Sequence, residues 1–168
     1  MRRLLPVILI ACAACGTRRE EVREERRQLM EGLTLSQSSK GSPNWTLKSR
    51  LALLREDDKR ATLTDPVMEF YREGKAVSHV TSLFGEINTE TQDVLLSSSV
   101  VVDSYEDRSH LTTSSLLYSS ARQRFTTTAE VNMRRPEGNL RGKGMEATPD
   151  LSEIHIFDQR SVLTGTAK

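Results

Sequence analysis

Three stretches in the second half of the chain repeat one pattern. Leu96-Ser97-Ser98 runs on to Val102, Leu111-Thr112-Thr113 to Leu117, and Phe125-Thr126-Thr127 to Val131, with the copies 15 and 14 residues apart. Residues two apart share one face of a strand. One face therefore carries Leu96, Ser98, Val100 and Val102. The next row carries Leu111, Thr113, Ser115 and Leu117, and the third Phe125, Thr127, Ala129 and Val131. A period this short leaves no room for a crossover helix, so neighbouring strands must be antiparallel and joined by short turns.

The same texture extends over most of the chain. Trp45 to Leu54, Ala61 to Tyr71, Ala76 to Asn88, Asp93 to Ser104, Ser109 to Tyr118, Arg124 to Met133 and Leu140 to Ala147 are strand-like runs, and Ile154 to Phe157 is a short last one. Turn residues separate them: Glu73-Gly74, Tyr105 to Arg108, Ser119 to Arg122 and Pro136-Glu137-Gly138. Pro66 lies inside the second run, which must therefore be bulged, bent or at an edge. The expected fold is all-β, a single open, twisted antiparallel domain.

Composition decides what kind of interior such a sheet encloses. Ser and Thr make up 34 of the 168 residues and aromatics only 5%, too little bulk for a thick core. Each repeated row has apolar ends around small residues. Stacked rows of this kind form either an apolar trough with little bulk at its middle or a thin sandwich core, and the pattern serves both. A net charge of +1 gives no basic field to attract nucleic acid.

The N-terminus reads as an address. Met1-Arg2-Arg3 is a basic start, and Leu4 to Ala14 is an uncharged stretch of 11 residues. A membrane-spanning helix needs about 20 apolar residues, so this is a signal-peptide core or an uncleaved anchor. Ala13-Ala14-Cys15-Gly16 resembles a bacterial lipobox, which makes Cys15 the acylation candidate, with Cys12 as the alternative. Arg18 to Glu31 holds five Arg and five Glu with opposite charges three apart, and predicts a short charged helix, either a spacer or a docking helix. Ser36 to Pro43 has loop composition. The expected organisation is a signal peptide over 1–14, a spacer and linker over 15–43, the β domain over 44–158 and a tail over 159–168.

Chemistry is hard to assemble from the remainder. His79, His110 and His155 are far apart, and none lies in an HxxxH or HExxH arrangement. Both cysteines are N-terminal and there is no GxSxG elbow. Gly138 to Gly144 has the wrong spacing for a phosphate loop, and Gly follows Lys143 where Ser or Thr belongs. The expectation is a non-enzyme without metal or cofactor.

Order and spacing carry a resemblance. WTLKS from Trp45, ATLT from Ala61 with Phe70-Tyr71, GEI from Gly85, the run Asp93 to Val102, HLTT from His110, Leu117-Tyr118, FTT from Phe125, Val131, and LRGKGME from Leu140 together resemble the LptC family of lipopolysaccharide export. The resemblance covers about two-thirds of the chain, and the related LptA and LptD proteins share the β-repeat. It implies a β-jelly-roll whose interior holds acyl chains, lined here by Leu96, Val100, Val102, Leu111, Leu117, Phe125 and Val131. It implies lipopolysaccharide taken from an inner-membrane ABC transporter and passed to an LptA-like bridge protein by strand pairing. The C-terminal run Leu140 to Ala147, with Ile154 to Phe157, is the expected partner edge, at Leu140, Gly142, Gly144 and Met145, because the last strands of a meander have at most one neighbour. The expected location is the periplasm, with a lipid anchor in the inner membrane. The alternative is a β-repeat lipoprotein scaffold that carries no lipid.

Overall fold

The computed structural model describes residues 27–39 and 41–162, with side chains up to Gln159. Among them the chain forms twelve strands and no helix: β1 (Arg27–Ser39), β2 (Ser42–Arg55), β3 (Arg60–Thr64), β4 (Val67–Arg72), β5 (Lys75–Thr81), β6 (Phe84–Asn88), β7 (Val94–Ser104), β8 (His110–Ser119), β9 (Arg124–Arg135), β10 (Gly138–Ala147), β11 (Ile154–Ile156) and β12 (Arg160–Val162). All pairings are antiparallel within one sheet.

The register reduces these strands to a simple meander. β2 pairs first with β4, from Trp45↔Phe70 to Lys48↔Val67, and then with β3, from Leu51↔Thr64 to Arg55↔Arg60. The count runs through unbroken, so β3 and β4 are two halves of one strand. β5 and β6 are likewise one strand, since Val67↔Thr81 continues as Thr64↔Phe84. The order is therefore β1, β2, β3/β4, β5/β6, β7, β8, β9, β10, with β11 and β12 side by side on β10. The Glu73-Gly74 reversal is a two-residue turn with φ of +51° and +77°, the left-handed geometry a tight hairpin needs.

Five of the strands break or shift at the same level, and these places line up into a crease across the sheet. On β3/β4 the break is Asp65-Pro66, with φ +50° at Asp65 and no N–H at Pro66. On β5/β6 it is Ser82-Leu83. On β7, Ser98 and Ser99 take φ of +63° and +55° and shift the register. β8 is irregular between Thr113 and Leu117, and β10 shifts at Gly144, φ +80°. Bulges bend a strand and increase its twist. Aligned across the sheet, they fold it into two facing half-sheets.

The crease explains the serines and threonines. A break frees backbone carbonyls that a buried site must satisfy. Ser49 Oγ donates to the Leu51 and Thr64 carbonyls at 2.7 and 2.8 Å, Ser82 Oγ to the Phe84 carbonyl at 2.8 Å, and Thr113 Oγ1 to the Ser115 carbonyl at 3.3 Å. Short hydroxyl side chains carry a donor that reaches their own backbone carbonyl two residues on. The small residues of the repeated rows therefore mark a fold line.

The N-terminal expectations need correction. Residues 27–31 were expected in a charged helix and 36–43 in a loop, yet Arg27–Ser39 is strand β1 and Ser42 opens β2. β1 pairs along β2 from Arg27↔Arg55 to Ser39↔Ser42, with Met30, Leu33 and Leu35 packed on the core. Pairing on a waiting edge outweighs the local helix preference of Arg and Glu. Arg160–Val162, expected in the tail, is strand β12. The signal segment, both cysteines and the rest of the charged spacer lie outside the described residues.

Candidate functional site

The candidate site is the space between the half-sheets. One wall is built by the N-terminal part of β2, by β4 and β5, and by the parts of β7 to β10 beyond the crease. Trp45, Leu47, Met68, Phe70, Val80, Val100, Val102, Leu111, Val131 and Met133 face inward from it. Leu63, Ile87, Val94, Leu96, Leu116, Tyr118, Phe125 and Met145 face them from the other. All are essentially buried, and they form one continuous apolar cluster. Full burial of a side chain of this kind stabilises by about 1.5–3 kcal/mol.

At the free ends of the half-sheets, the mouth opposite the crease, aromatic rings meet edge to face. Phe70 lies 4.9 Å from Tyr118 and 5.2 Å from Phe125 between ring centroids, and Trp45 lies 6.4 Å from Tyr118. Gln37 Nε2 of β1 also reaches Ser120 Oγ at 3.1 Å across this opening.

Burial pushes the Tyr118 phenol up to about 12, with the Asp93 charge adding to it. The unfolded chain ionises nearer 10, so the neutral buried phenol favours the fold fully below pH 10, and that contribution is lost as the pH rises towards 12. Two pH units correspond to about 2–3 kcal/mol. Tyr118→Phe is expected to flatten the difference between urea melts at pH 9 and pH 11.5. An equal alkaline loss in both proteins would remove Tyr118 as its cause.

Six of the seven residues expected to line the interior do face it. Leu96, Val100, Val102, Leu111, Phe125 and Val131 are each at most 1% exposed. Leu117 does not: it is 39% exposed on the outer face, opposite Leu95. The irregularity between Thr113 and Leu117 switches the alternation of β8, so Leu116 and Tyr118 turn inward instead. Of the small residues between the apolar ends of the rows, Ser98 is exposed, and Ser115 and Thr127 are half-buried at the crease, where both line a cavity of about 380 Å³ with Leu117 and Phe157.

Of the two runs expected at the partner edge, Ile154 to Phe157 lies at the outer position and Leu140 to Ala147 does not. Leu140, Gly142, Gly144 and Met145 lie on β10, which is hydrogen-bonded on both sides. β9 covers one side, and β11, β12 and Phe157 the other. The outer positions of the sheet are β11/β12 at one end and β1 at the other. Glu153 and Phe157 bond to Thr148 and Gly144, so alternation turns the N–H groups of Ile154 and Ile156 away from β10. Sequence reading also missed the inward residues of β2 to β6. Their signal was present in Trp45-x-Leu47, Ala61-x-Leu63 and Met68-x-Phe70.

Among the described residues, no three His, Cys, Asp or Glu side chains gather into a metal-binding group. His110 Nδ1 instead pairs with Asp103 Oδ1 at 2.6 Å across β7 and β8.

A creased antiparallel meander folded over one apolar interior is an all-β structure of the jelly-roll kind. The family model described as lipopolysaccharide-assembly, LptC-related, matches residues 13–162. The chain belongs to the LptC family. That places it in lipopolysaccharide transport, in the periplasm and associated with the envelope, with lipopolysaccharide and the export system as its partners in general terms. No curated protein matches the chain.

Proposed function

We propose that the protein is a membrane-anchored component of the export machinery that binds lipopolysaccharide acyl chains between its half-sheets. In this reading it takes lipopolysaccharide from the inner-membrane ABC transporter and passes it to an LptA-like bridge protein. The observation that carries it is the single apolar cluster running from wall to wall between two facing half-sheets. Acyl chains need apolar walls and a strand edge needs a strand, and both are present on one sheet. The β11/β12 end is the docking edge for the bridge protein. The anchor is an acylated Cys15, or Cys12. Mass spectrometry of membrane-extracted protein is expected to find a diacylglyceryl cysteine at the mature N-terminus. An intact Met1 would rule the lipid anchor out and favour the uncleaved anchor.

A second reading, the lipid-free β-repeat scaffold, draws on the close packing of that same interior, where Val100, Leu111 and Val131 are fully buried. Cross-linking separates the two. A leucine-sized diazirine residue at Leu111 is expected to capture lipopolysaccharide on illumination in cells, and the same residue at outward-facing Leu117 is not. Capture at neither position favours the scaffold.

A further inference from the structure

Among the described residues, the loop 148–153 between β10 and β11 reaches across the mouth between the half-sheets. Its base is fixed to the half-sheet that carries it. The Thr148 N–H donates to the Glu153 carbonyl at 2.9 Å, the Glu153 N–H to Thr148 Oγ1 at 3.1 Å, and the Leu151 N–H to the Thr148 carbonyl at 3.0 Å. On that same lip Arg124 Nη2 donates to Glu153 Oε2 at 2.7 Å. Its tip reaches the opposite lip. Arg72, at the end of β4, forms an ion pair with Asp150, and Arg135 Nη2, at the end of β9, donates to the Leu151 carbonyl at 2.9 Å.

Three features set this loop apart from an ordinary surface connection. Asp150 is a buried carboxylate, its side chain 2% exposed, while its partner Arg72 is 53% exposed. The other carboxylate oxygen accepts from the Ser152 N–H and hydroxyl at 3.1 and 2.9 Å, which aims the group at the lip. Leu151 sits in the left-handed region, φ +60°, and is fully buried, so the loop drives an apolar side chain into the interior. A cleft of about 270 Å³ lies beside it, lined by Phe70, Arg72, Val77, Tyr118, Gln123 and Asp150, residues of both lips and of the loop. Arg135 is itself positioned, by Ser109 Oγ at 3.1 Å and Asp107 at 3.7 Å.

We propose that residues 148–153 are a latch that closes the mouth of the folded sheet, with Leu151 as its plug and the Arg72–Asp150 pair as its catch, and that release of the catch admits acyl chains to the interior. This rests on the interior being the lipid site. With the latch shut, the walls are joined at the crease by continuous backbone and held together at the mouth by the loop, beside the aromatic contacts and the Gln37–Ser120 bond. Lifting the loop removes one leucine from the interior and breaks contacts to two guanidinium groups, while its base on β10 and β11 stays paired. A catch with one exposed and one buried partner is open to attack from outside, by an anionic headgroup competing for Arg72.

The test uses the whole protein and an apolar fluorophore, N-phenyl-1-naphthylamine, whose emission rises on leaving water. Arg72→Gln and Asp150→Asn are each expected to speed its uptake about tenfold, because a binding-competent open state becomes more populated. The swapped pair, Arg72→Asp with Asp150→Arg, is expected to return uptake towards the wild-type rate, which a merely loosened fold would not do. Urea melts confirm that the variants are folded at the assay temperature. Wild-type uptake rates in both single variants overturn the latch and leave the interior reading standing. Uptake by no variant, with the fold intact, overturns the interior reading and the latch with it.

Discussion

Val131→Asp is expected to lower the unfolding free energy of the empty protein by about 3 kcal/mol or more. Val131 is fully buried, paired with Thr113 on one side and Gly142 on the other. A carboxylate there faces Leu111, Met133 and the far wall, with no cation among its inward neighbours in the apolar cluster. It must be desolvated, take up a proton, or prise the half-sheets apart. Thr128→Asp, on the exposed face of the same strand, is the control, and it is expected to shift stability by no more than about 0.5 kcal/mol. Urea melts of the three proteins check the pair of effects. A Val131→Asp melt that matches the wild type would mean that water reaches the interior freely. The empty site would then be an open groove, and the close packing of Val100, Leu111 and Val131 could not describe it in solution.

The packed interior also bears on transport. An interior packed as closely as this one keeps its apolar walls out of water, and under the proposed function an acyl chain has to separate the walls to enter. The work of separation is smallest where few strands cross, which is the mouth and not the crease. The crossing loop and the Phe70–Tyr118 contact are the natural places for such opening to begin.

The strands were largely legible in the sequence, because runs of β-branched and hydroxyl residues between turn residues have one simple reading. Pro66 even announced the break in the second run. What alternation could not give was the change of face at the crease. A strict period of two carries Leu117 inward, and one irregularity in β8 turns it out and brings Leu116 and Tyr118 in. The hint was that both faces of that segment are apolar. β1 was illegible for a different reason. Its first residues, Arg27 to Glu31, end the charged run that favours a helix locally, and the edge of β2, a tertiary partner, makes Arg27–Ser39 a strand. Leu151 had no signal at all, since nothing in Thr148 to Glu153 distinguishes a loop that plugs an interior from one that lies in solvent.

Gly142→Ala is expected to strip the C-terminal edge from the sheet while leaving the meander folded. A Cβ at Gly142 would lie 2.4 Å from Ile156 Cγ2 and 2.6 Å from the Phe157 carbonyl oxygen. The first contact could be relieved by a rotamer change. The second is with backbone and cannot be, so the chain beyond Ile156 must move off β10. The Lys143 N–H donates to that same Phe157 carbonyl at 3.0 Å, and this bond goes with it. Overpacking of this sort costs about 1–3 kcal/mol, more than a three-residue strand such as β11 can hold against. Amide exchange is expected to show Ile156 and Phe157 losing protection while Val102 and Leu111 keep theirs. Thermal unfolding is expected to remain a single transition. If β11 and β12 form the docking edge, the variant should also fail to retain an LptA-like partner in a pull-down. Loss of protection with full retention of the partner would assign docking to the other end of the sheet, at β1. Full protection at Phe157 would mean that the backbone there yields more easily than its hydrogen bonds imply.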